Sequence, residues 1–414
     1  MATNCPGFSA PTGLGAPSTA TRMPACEDPR VHRSPLVQLP PELAPPGAHA
    51  GKDTHAVERT SAEAGGSGRF VLGIDGGATK TLAALLDLER ETLHLGRAGP
   101  SNEDAVGTRA AVDALLEAAD EAVGRAGIDG ERLDAEVIAL AGTDTDAVTR
   151  HVRAARSEDW LVVNDVVAAW ATATEAQPGV GVISGTGSNV FGVGFDGRAW
   201  RAGGWGHQLG DEGSGYWFGI ESIKAALRDR EASGPETALS DAAVEHFGVA
   251  SVEALAALVY SKPLSKGEIA AFAIETAKLA GGGDAVACEI YRRGASLLGE
   301  QVAAVIRRTG LADAAGTSAS ASGDEGAGDD DGAQGFPVGL IGSAYKAGAV
   351  FVEPLTRAVH ELAPDARVSV VEMAPVGGSL LLAMRACGCE GALSAAELAR
   401  LIDEALAVES SAAA

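Results

Sequence analysis

Phe70-Val71-Leu72-Gly73-Ile74-Asp75-Gly76-Gly77-Ala78-Thr79-Lys80-Thr81 decides how this chain folds. Its first residues form an apolar, β-prone run that ends on Asp75, and the paired glycines then break it. Lys80 to Asp87 is strand-like again, so the glycine turn joins strand to strand rather than strand to helix. An amphipathic Ala/Leu helix is expected from about Ala105 to Val123, ending near Gly127. A strand over Glu136 to Leu140, a helix, a strand over Trp160 to Asn164 and a helix from Asp165 follow. That alternation predicts an α/β fold with a largely parallel sheet. At Val180 the plan restarts. Val180-Gly181-Val182-Ile183-Ser184 reads as a strand, Gly185-Thr186-Gly187-Ser188 as a turn and Asn189 to Phe195 as a strand. Two copies of one unit predict two like lobes facing each other. Helices over Trp217 to Ala232, Ile269 to Ala280 and Ala285 to Thr309 come next. Strands over Val338 to Ile341 and Val368 to Val371 and a last helix near Ala395 to Ala407 complete the pattern.

The chain has 414 residues, 46% of them apolar and 4% aromatic, enough for two or three domains with cores of Ala, Val and Leu. No run of 18 apolar residues occurs, so no membrane partner is expected. A net charge of −24 argues against a nucleic-acid partner, which needs a basic face. It does not argue against a nucleotide, which Mg²⁺ and backbone N–H groups can hold. Five cysteines make no disulfide framework at this length, so a reducing cytoplasm is the expected location. Ten of the 18 prolines fall within residues 1–68, which lack an apolar period and are expected to form a disordered tail. That stretch has no continuous apolar segment, so it does not read as a secretory signal. Residues 313–335 are Ala, Gly, Ser and acid without a basic residue, which predicts a solvated acidic insert.

The two glycine turns carry the first hint of chemistry. The Asp75–Thr81 turn is neither a Walker A loop nor a Rossmann turn, because Thr79 precedes Lys80 and a strand follows. Paired glycines nevertheless let backbone approach an anion, and Thr79 and Thr81 add hydroxyls. Asp75, at the strand end, suits a hydrated Mg²⁺. An ordinary hairpin explains the same residues. Gly185-Thr186-Gly187-Ser188 repeats the pattern in the second lobe, where it could clasp the other side of a phosphate chain.

Asp165 follows an apolar strand and opens a helix, the place where α/β ligand sites form. A carboxylate there can accept a proton from an attacking hydroxyl. The local sequence alone favours the commoner job of helix N-cap. Gly203-Gly204-Trp205-Gly206-His207-Gln208-Leu209-Gly210-Asp211-Glu212-Gly213-Ser214-Gly215-Tyr216-Trp217 cannot form a regular element. Its carboxylates, amide and flat rings match what a sugar needs, and a glycine-rich loop with packed aromatics is the alternative.

Together these segments resemble the N-acetylglucosamine kinase group and the BadF/BadG/BcrA/BcrD ATPase family of the actin-like superfamily. The resemblance spans roughly Val71 to Ala383 and also rests on Gly99-Pro100-Ser101-Asn102 and Asn164-Asp165. It implies two actin-like, ribonuclease H-like lobes around a nucleotide and sugar cleft. The lobes would cover 69–175, joined by the last helix at about 394–408, and 176–393. It implies ATP and Mg²⁺ as cofactors, an amino sugar as partner, and a homodimer as the family-based assembly. Asp165 would be the catalytic base. Asp75, Gly76, Gly77, Thr79, Lys80 and Thr81 would form the first phosphate loop, with Mg²⁺ held through water at Asp75. Gly185, Thr186, Gly187 and Ser188 would form the second. Gly342-Ser343 and Gly377-Gly378 would be nucleoside-binding turns. Ser101, Asn102, Asn189, Trp205 and Asp211 would face the sugar. The reaction implied is in-line phosphorylation of the 6-hydroxyl of N-acetylglucosamine or glucosamine. Activator ATPases of 2-hydroxyacyl-CoA dehydratases share the fold but need a cysteine pair that Cys288, Cys387 and Cys389 do not match. A non-catalytic sugar sensor would predict broken loops. Cys387-Gly388-Cys389 lacks the further ligands that a structural zinc requires.

Overall fold

The computed structural model describes residues 39–40, 43–44, 69–77, 79–128, 133–141, 146–261, 264–312 and 335–412. All of them fall in one unit, Leu36–Ala414. The first sheet comprises β1 (Phe70–Gly76), β2 (Thr81–Asp87), β3 (Thr92–Ala98), β4 (Leu133–Leu140) and β5 (Leu161–Asn164). The second comprises β6 (Gly179–Ser184), β7 (Ser188–Val193), β8 (Ala199–Gly203), β9 (Pro337–Ile341) and β10 (Arg367–Val370). The strand orders are β3-β2-β1-β4-β5 and β10-β9-β6-β7-β8, the same order read from opposite ends. In each sheet the first three strands pair antiparallel, the fourth pairs in parallel with the first, and the fifth pairs in parallel with the fourth. The repeated glycine turn therefore marks a repeated sheet, as the sequence predicts.

The first lobe adds α1 (Glu103–Val106), α2 (Thr108–Ala126), α3 (Asp146–Ala155) and α4 (Asp165–Thr174). The second adds α5 (Gly215–Arg230), α6 (Leu239–Phe247), α7 (Val252–Ser261), α8 (Lys266–Ala271), α9 (Ala273–Gly281) and α10 (Ala285–Thr309). After β9 come a 3₁₀ turn (Ser343–Ala347), α11 (Ala349–His360), α12 (Val376–Ala386) and α13 (Ala395–Ala412). Among the described residues no single helix is long and apolar enough to cross a membrane.

Strand alternation assigns the faces of the first sheet. Phe70, Leu72 and Ile74 pack with Leu115 and Ala118 of α2, while Val71 points to the other side, against Leu380 and Ala383 of α12. Gly73 lies on that side, and a Cβ there would come 2.7 Å from the Leu380 nitrogen, so α12 rests directly on β1. The second sheet mirrors this with α4: a Cβ on Gly181 would lie 2.8 Å from Trp170 Cα. The layers run from the first sheet through α12 and α4 to the second sheet. One apolar cluster holds Val71 and Leu82 of the first sheet with Phe191 and Val193 of the second. Each such side chain, fully buried, contributes about 1.5–3 kcal/mol.

Two expectations are corrected here. The span 176–393 expected for the second lobe includes α12, which packs on the first sheet, so the chain returns to that sheet earlier than expected. The expected tail, 1–68, is not wholly solvated: Leu43 is fully buried in the cluster between the sheets, and its carbonyl oxygen lies 3.4 Å from an Arg385 guanidinium nitrogen. Arg385 also donates to Ala176 O at 2.5 Å, where the chain passes into the second sheet. The rest of 1–68 and residues 313–334 of the expected insert lie outside the described residues.

Candidate active site between the two sheets

β1 delivers Asp75 to its carboxyl end on the inward side, two residues beyond Gly73. The turn that follows is closed by Gly77 N–H donating to Lys80 O at 3.1 Å. Ala78 lies outside the described residues, and Thr79 and Lys80 are exposed. Thr81 faces inward to the protein instead. Its Oγ1 lies 2.7 Å from Gly99 O and 2.8 Å from Ser101 Oγ, and both side chains are buried. Thr81 and Ser101 thus fasten the 99–101 loop beneath the turn, and Ser101 N–H donates to Gly77 O at 3.0 Å. Gly76 belongs to the same joint, where a Cβ would lie 2.6 Å from Ser101 Oγ. Asn102 immediately precedes α1, its carbonyl accepting from Ala105 and Val106. The loop expected to touch ligand therefore has a structural floor under an exposed rim.

At the start of α4 the capping question resolves. Asn164 is the N-cap, its side chain accepting from Val166 N–H at 3.2 Å. Asp165 is the first helical residue. Burial pushes its carboxyl up to about 6, and the charge of Asp75 adds to the rise; the N–H groups of Val166 and Asp165 and the Arg201 guanidinium oppose it. Asp75 is likewise pushed up to about 6 by burial, against the pull of Lys80. Two carboxylates that feel each other titrate as a pair. Arg201, on β8, is half-buried; burial lowers its basicity and Asp165 restores part of it. Sequence reasoning passed over Arg201. Its signal was faint, a single cation ahead of the Gly203–Trp217 segment, and only the β7–β8 pairing with Phe191 places it on the inward face.

These shifts fix a pH dependence. A role for Asp165 as a base would require it deprotonated, and kcat/KM would then fall below about pH 6 as the pair takes up protons. Removing Arg201 removes a charge that favours the Asp165 carboxylate, so Arg201→Met is expected to move that acid limb to higher pH. A pH–rate profile of both proteins checks this. For stability the sign runs the other way. Folded-state values raised above the usual 3.8 stabilise fully below the unfolded value, and that contribution is lost as pH rises through about 6.

The second hairpin is closed by Gly185 N–H donating to Gly187 O at 2.9 Å. It is laced to the Asp211–Gly215 loop. Ser184 Oγ donates to Gly213 O at 2.7 Å, Ser188 Oγ to Glu212 O at 2.9 Å and Gly215 N–H to Gly185 O at 2.8 Å. Asp211 is buried inside this lacework. It accepts Ser188 N–H at 3.3 Å and pairs with Lys266 at 2.7 Å. Beside the hairpin opens a cavity of about 630 Å³ lined by Gly185, Thr186, Gly267, Ala271, Ile274 and Ser343. Its size and mainly apolar wall suit a nucleoside.

Ahead of the buried Asp211, residues 205–209 of the glycine-rich segment form a largely exposed loop. Trp205 is 59% exposed, with the Arg201 guanidinium 5.0 Å from its ring centre. Leu209 is exposed, and His207 stacks edge-on against Tyr216 at 4.9 Å. Asn189 pairs with Gly203 in the β7–β8 ladder. Its Oδ1 is a buried acceptor without a partner among the described residues. An acceptor left in that condition is costly unless a ligand donates to it.

The two expected nucleoside turns part company. Gly342 adopts φ +125, and a Cβ there would lie 2.6 Å from the Ser184 carbonyl carbon. It brings Ser343 into the cavity wall beside the second hairpin. Gly377 and Gly378 are corrected. They lie inside α12, buried, and not in a turn. A Cβ on Gly378 would overlap the Ala168 carbonyl oxygen, and one on Gly377 would lie 2.7 Å from Met373 Cγ. Paired glycines read as a turn, but here Gly378 lets α12 touch α4 and Gly377 makes room for the Met373 side chain.

Residues 72–324 match the profile of the BadF/BadG/BcrA/BcrD ATPase family. The chain belongs to that family. It is 35% identical over 243 residues to an N-acetylmuramic acid/N-acetylglucosamine kinase of Clostridium acetobutylicum, covering 58% of this chain and 79% of that protein. It is 25% identical over 336 residues to an N-acetyl-D-glucosamine kinase of Dictyostelium discoideum, covering 77% of this chain and 98% of that one. A crystal structure assigned as an N-acetylglucosamine kinase from Chromobacterium violaceum superposes with a TM-score of 0.57 at 22% identity, over 76% of this chain and 98% of that chain. That likeness establishes the actin-like fold. The family and its kinase members make this chain an ATP-using phosphotransferase with an alcohol acceptor.

Mg²⁺ is implied by such chemistry. Among the described residues no group of three or more His, Cys, Asp or Glu is set to hold a metal. Asp75 and Asp165 do fit a cation that keeps most of its waters, since both carboxylates are desolvated and held above their usual range even with Lys80 near one and Arg201 near the other.

Proposed function

We propose that this protein transfers the γ-phosphoryl group of ATP to the 6-hydroxyl of an amino sugar, most simply N-acetylglucosamine, with Asp165 as general base. The observation that carries the reading is the Asp165 carboxylate itself. Asn164 relieves it of capping, burial raises its proton affinity, and it stands where α4 enters the space between the two sheets. The printed activities of the two kinase relatives, on N-acetylglucosamine in both cases, support the substrate class.

Asp165 orients the sugar hydroxyl and takes its proton as that oxygen attacks the phosphorus in line. Backbone around Gly77 and Gly185–Ser188 cradles the phosphates, and the cavity beside Gly185 and Ser343 takes the nucleoside. Asn189 accepts from a sugar hydroxyl, and Trp205 offers a ring face to the sugar. Asp75, with Asp165 beside it, would hold Mg²⁺, which offsets the charge of the phosphates when bound.

The test is ADP release with Mg·ATP against N-acetylglucosamine, glucosamine, N-acetylmannosamine, N-acetylmuramic acid and glucose. Release that depends on an amino sugar, with the phosphate on O6 by NMR, is the expected result. Release independent of every sugar would replace the proposal with an activator-type ATPase. Sugar binding without release would replace it with a sensor.

A further inference from the structure

We propose that Lys266 is the cation that holds the terminal phosphates of the nucleotide, and that Asp211 positions it. The inference rests on the kinase reading and adds a residue to which neither motif nor spacing pointed. Lys266 opens α8, and its Nζ lies 2.7 Å from Asp211 Oδ2. The other oxygen of Asp211 accepts the backbone N–H of Ser188 at 3.3 Å. One buried carboxylate thus ties the turn of the second hairpin to the ammonium group. They are so close that a Cβ on Gly187 would lie 3.0 Å from Nζ. The same Cβ would lie 3.1 and 3.2 Å from the two Asp211 oxygens, so the absence of a side chain at Gly187 lets the ion pair pack directly against the turn that an anion would approach.

The position along the cavity is the second argument. Gly267, the next residue, lines the cavity together with Gly185 and Thr186. Lys266 therefore stands where the nucleoside cavity meets the glycine turn, and its side chain is 34% exposed there. An ammonium has three N–H donors; Asp211 takes one and leaves two for phosphoryl oxygens. The two lysines that line the cavity itself are placed differently. Lys278 pairs with Glu275 at 2.8 Å, and Lys346 belongs to the 3₁₀ turn behind Gly342, at the nucleoside wall.

The backbone of Asp211 shows that the arrangement is specified. It sits at φ +66, a left-handed conformation unfavourable for a residue with a Cβ. Asp tolerates that region better than most residues, and here it directs the carboxylate to Ser188 and Lys266 at once. In a chain of net charge −24, a fixed local cation is also what a polyphosphate needs on approach.

The test measures binding without turnover. Adenosine, AMP, ADP and a non-hydrolysable ATP analogue are titrated by calorimetry into the full chain and into Lys266→Met, all with Mg²⁺. Adenosine and AMP are expected to bind both proteins alike, while ADP and the analogue bind the variant roughly tenfold or more weakly. Lys266→Arg is expected to recover most of the loss and keeps the test valid if Lys266→Met fails to fold. Asp211→Asn is expected to show a smaller loss with the same selectivity. Equal weakening of all four ligands, or of none, overturns the role of Lys266. A loss confined to sugar affinity in Asp211→Asn overturns the positioning role. Because no step needs phosphoryl transfer, a chain that fails to phosphorylate sugars would still give this result, so the two proposals fail separately.

Discussion

Asp165→Asn is expected to lower sugar-dependent ADP release by roughly 10²–10⁴-fold, the range that a positioned general base contributes. The substitution keeps the shape of the side chain and removes its basicity. Asn164 retains the cap of α4, so the helix start should survive. Removing a desolvated carboxylate beside Asp75 should also relieve repulsion there, since the Asp75 charge is one of the causes that raise Asp165. The variant is therefore expected to fold at least as well as the parent at neutral pH and to bind the ATP analogue and the sugar normally. Steady-state turnover and calorimetric titration of each ligand check the two halves. Turnover within a few-fold of the parent would overturn the assignment of the base. Loss of both activity and sugar affinity would make Asp165 a binding residue instead.

How much of this was legible from sequence follows from what kind of signal each residue leaves. The two hairpins were legible because apolar runs broken by glycine have a local cause, and the duplication showed as a repeat of it. Asp165 was ambiguous, because an N-cap and a base look alike until the register shows that Asn164 takes the cap. Thr81 and Ser101 were read as ligand contacts, yet their hydroxyls meet each other across a joint between segments about 20 residues apart. Arg201 and Lys266 left no motif. One owes its place to strand pairing, the other to an ion pair spanning 55 residues. Leu43 was hidden by its surroundings, since the prolines at 35, 40, 41, 45 and 46 interrupt any regular element that Leu36, Leu39 and Leu43 could mark. Local periodicity tells which elements form, while the partners of a polar side chain depend on the whole topology.

Gly378→Ala is expected to destabilise the protein strongly through a single added methyl group. Gly378 lies where α12 crosses α4, and an added Cβ would overlap the Ala168 carbonyl oxygen and come 2.7 Å from its carbon. The obstruction is backbone, so no rotamer can move it aside. α4 cannot retreat, because a Cβ on Gly181 would already meet Trp170 Cα at 2.8 Å and one on Gly339 would meet Ala173 Cβ at 2.5 Å. α12 cannot retreat either, because Gly73 leaves the same tight fit under Leu380. Four glycines on three surfaces thus close the stack from one sheet to the other. Overpacking a core costs about 1–3 kcal/mol, and a backbone clash with no slack sits at or above the top of that range. The melting temperature should fall by roughly 5 °C or more. Gly124→Ala is the matched control. Gly124 lies in α2 with nothing within 4 Å of a new Cβ, and replacing a helical glycine by alanine stabilises by up to about 1 kcal/mol. Calorimetry of the two variants should give shifts of opposite sign. The loss at Gly378 should also reach catalysis, because α4 carries Asp165 at its first position and α12 donates Ser379 Oγ to Ile74 O at 3.0 Å, one residue before Asp75. A Gly378→Ala protein that melts within a degree of the parent would show that the helices have room to part, and the glycines would then have no packing role to explain them.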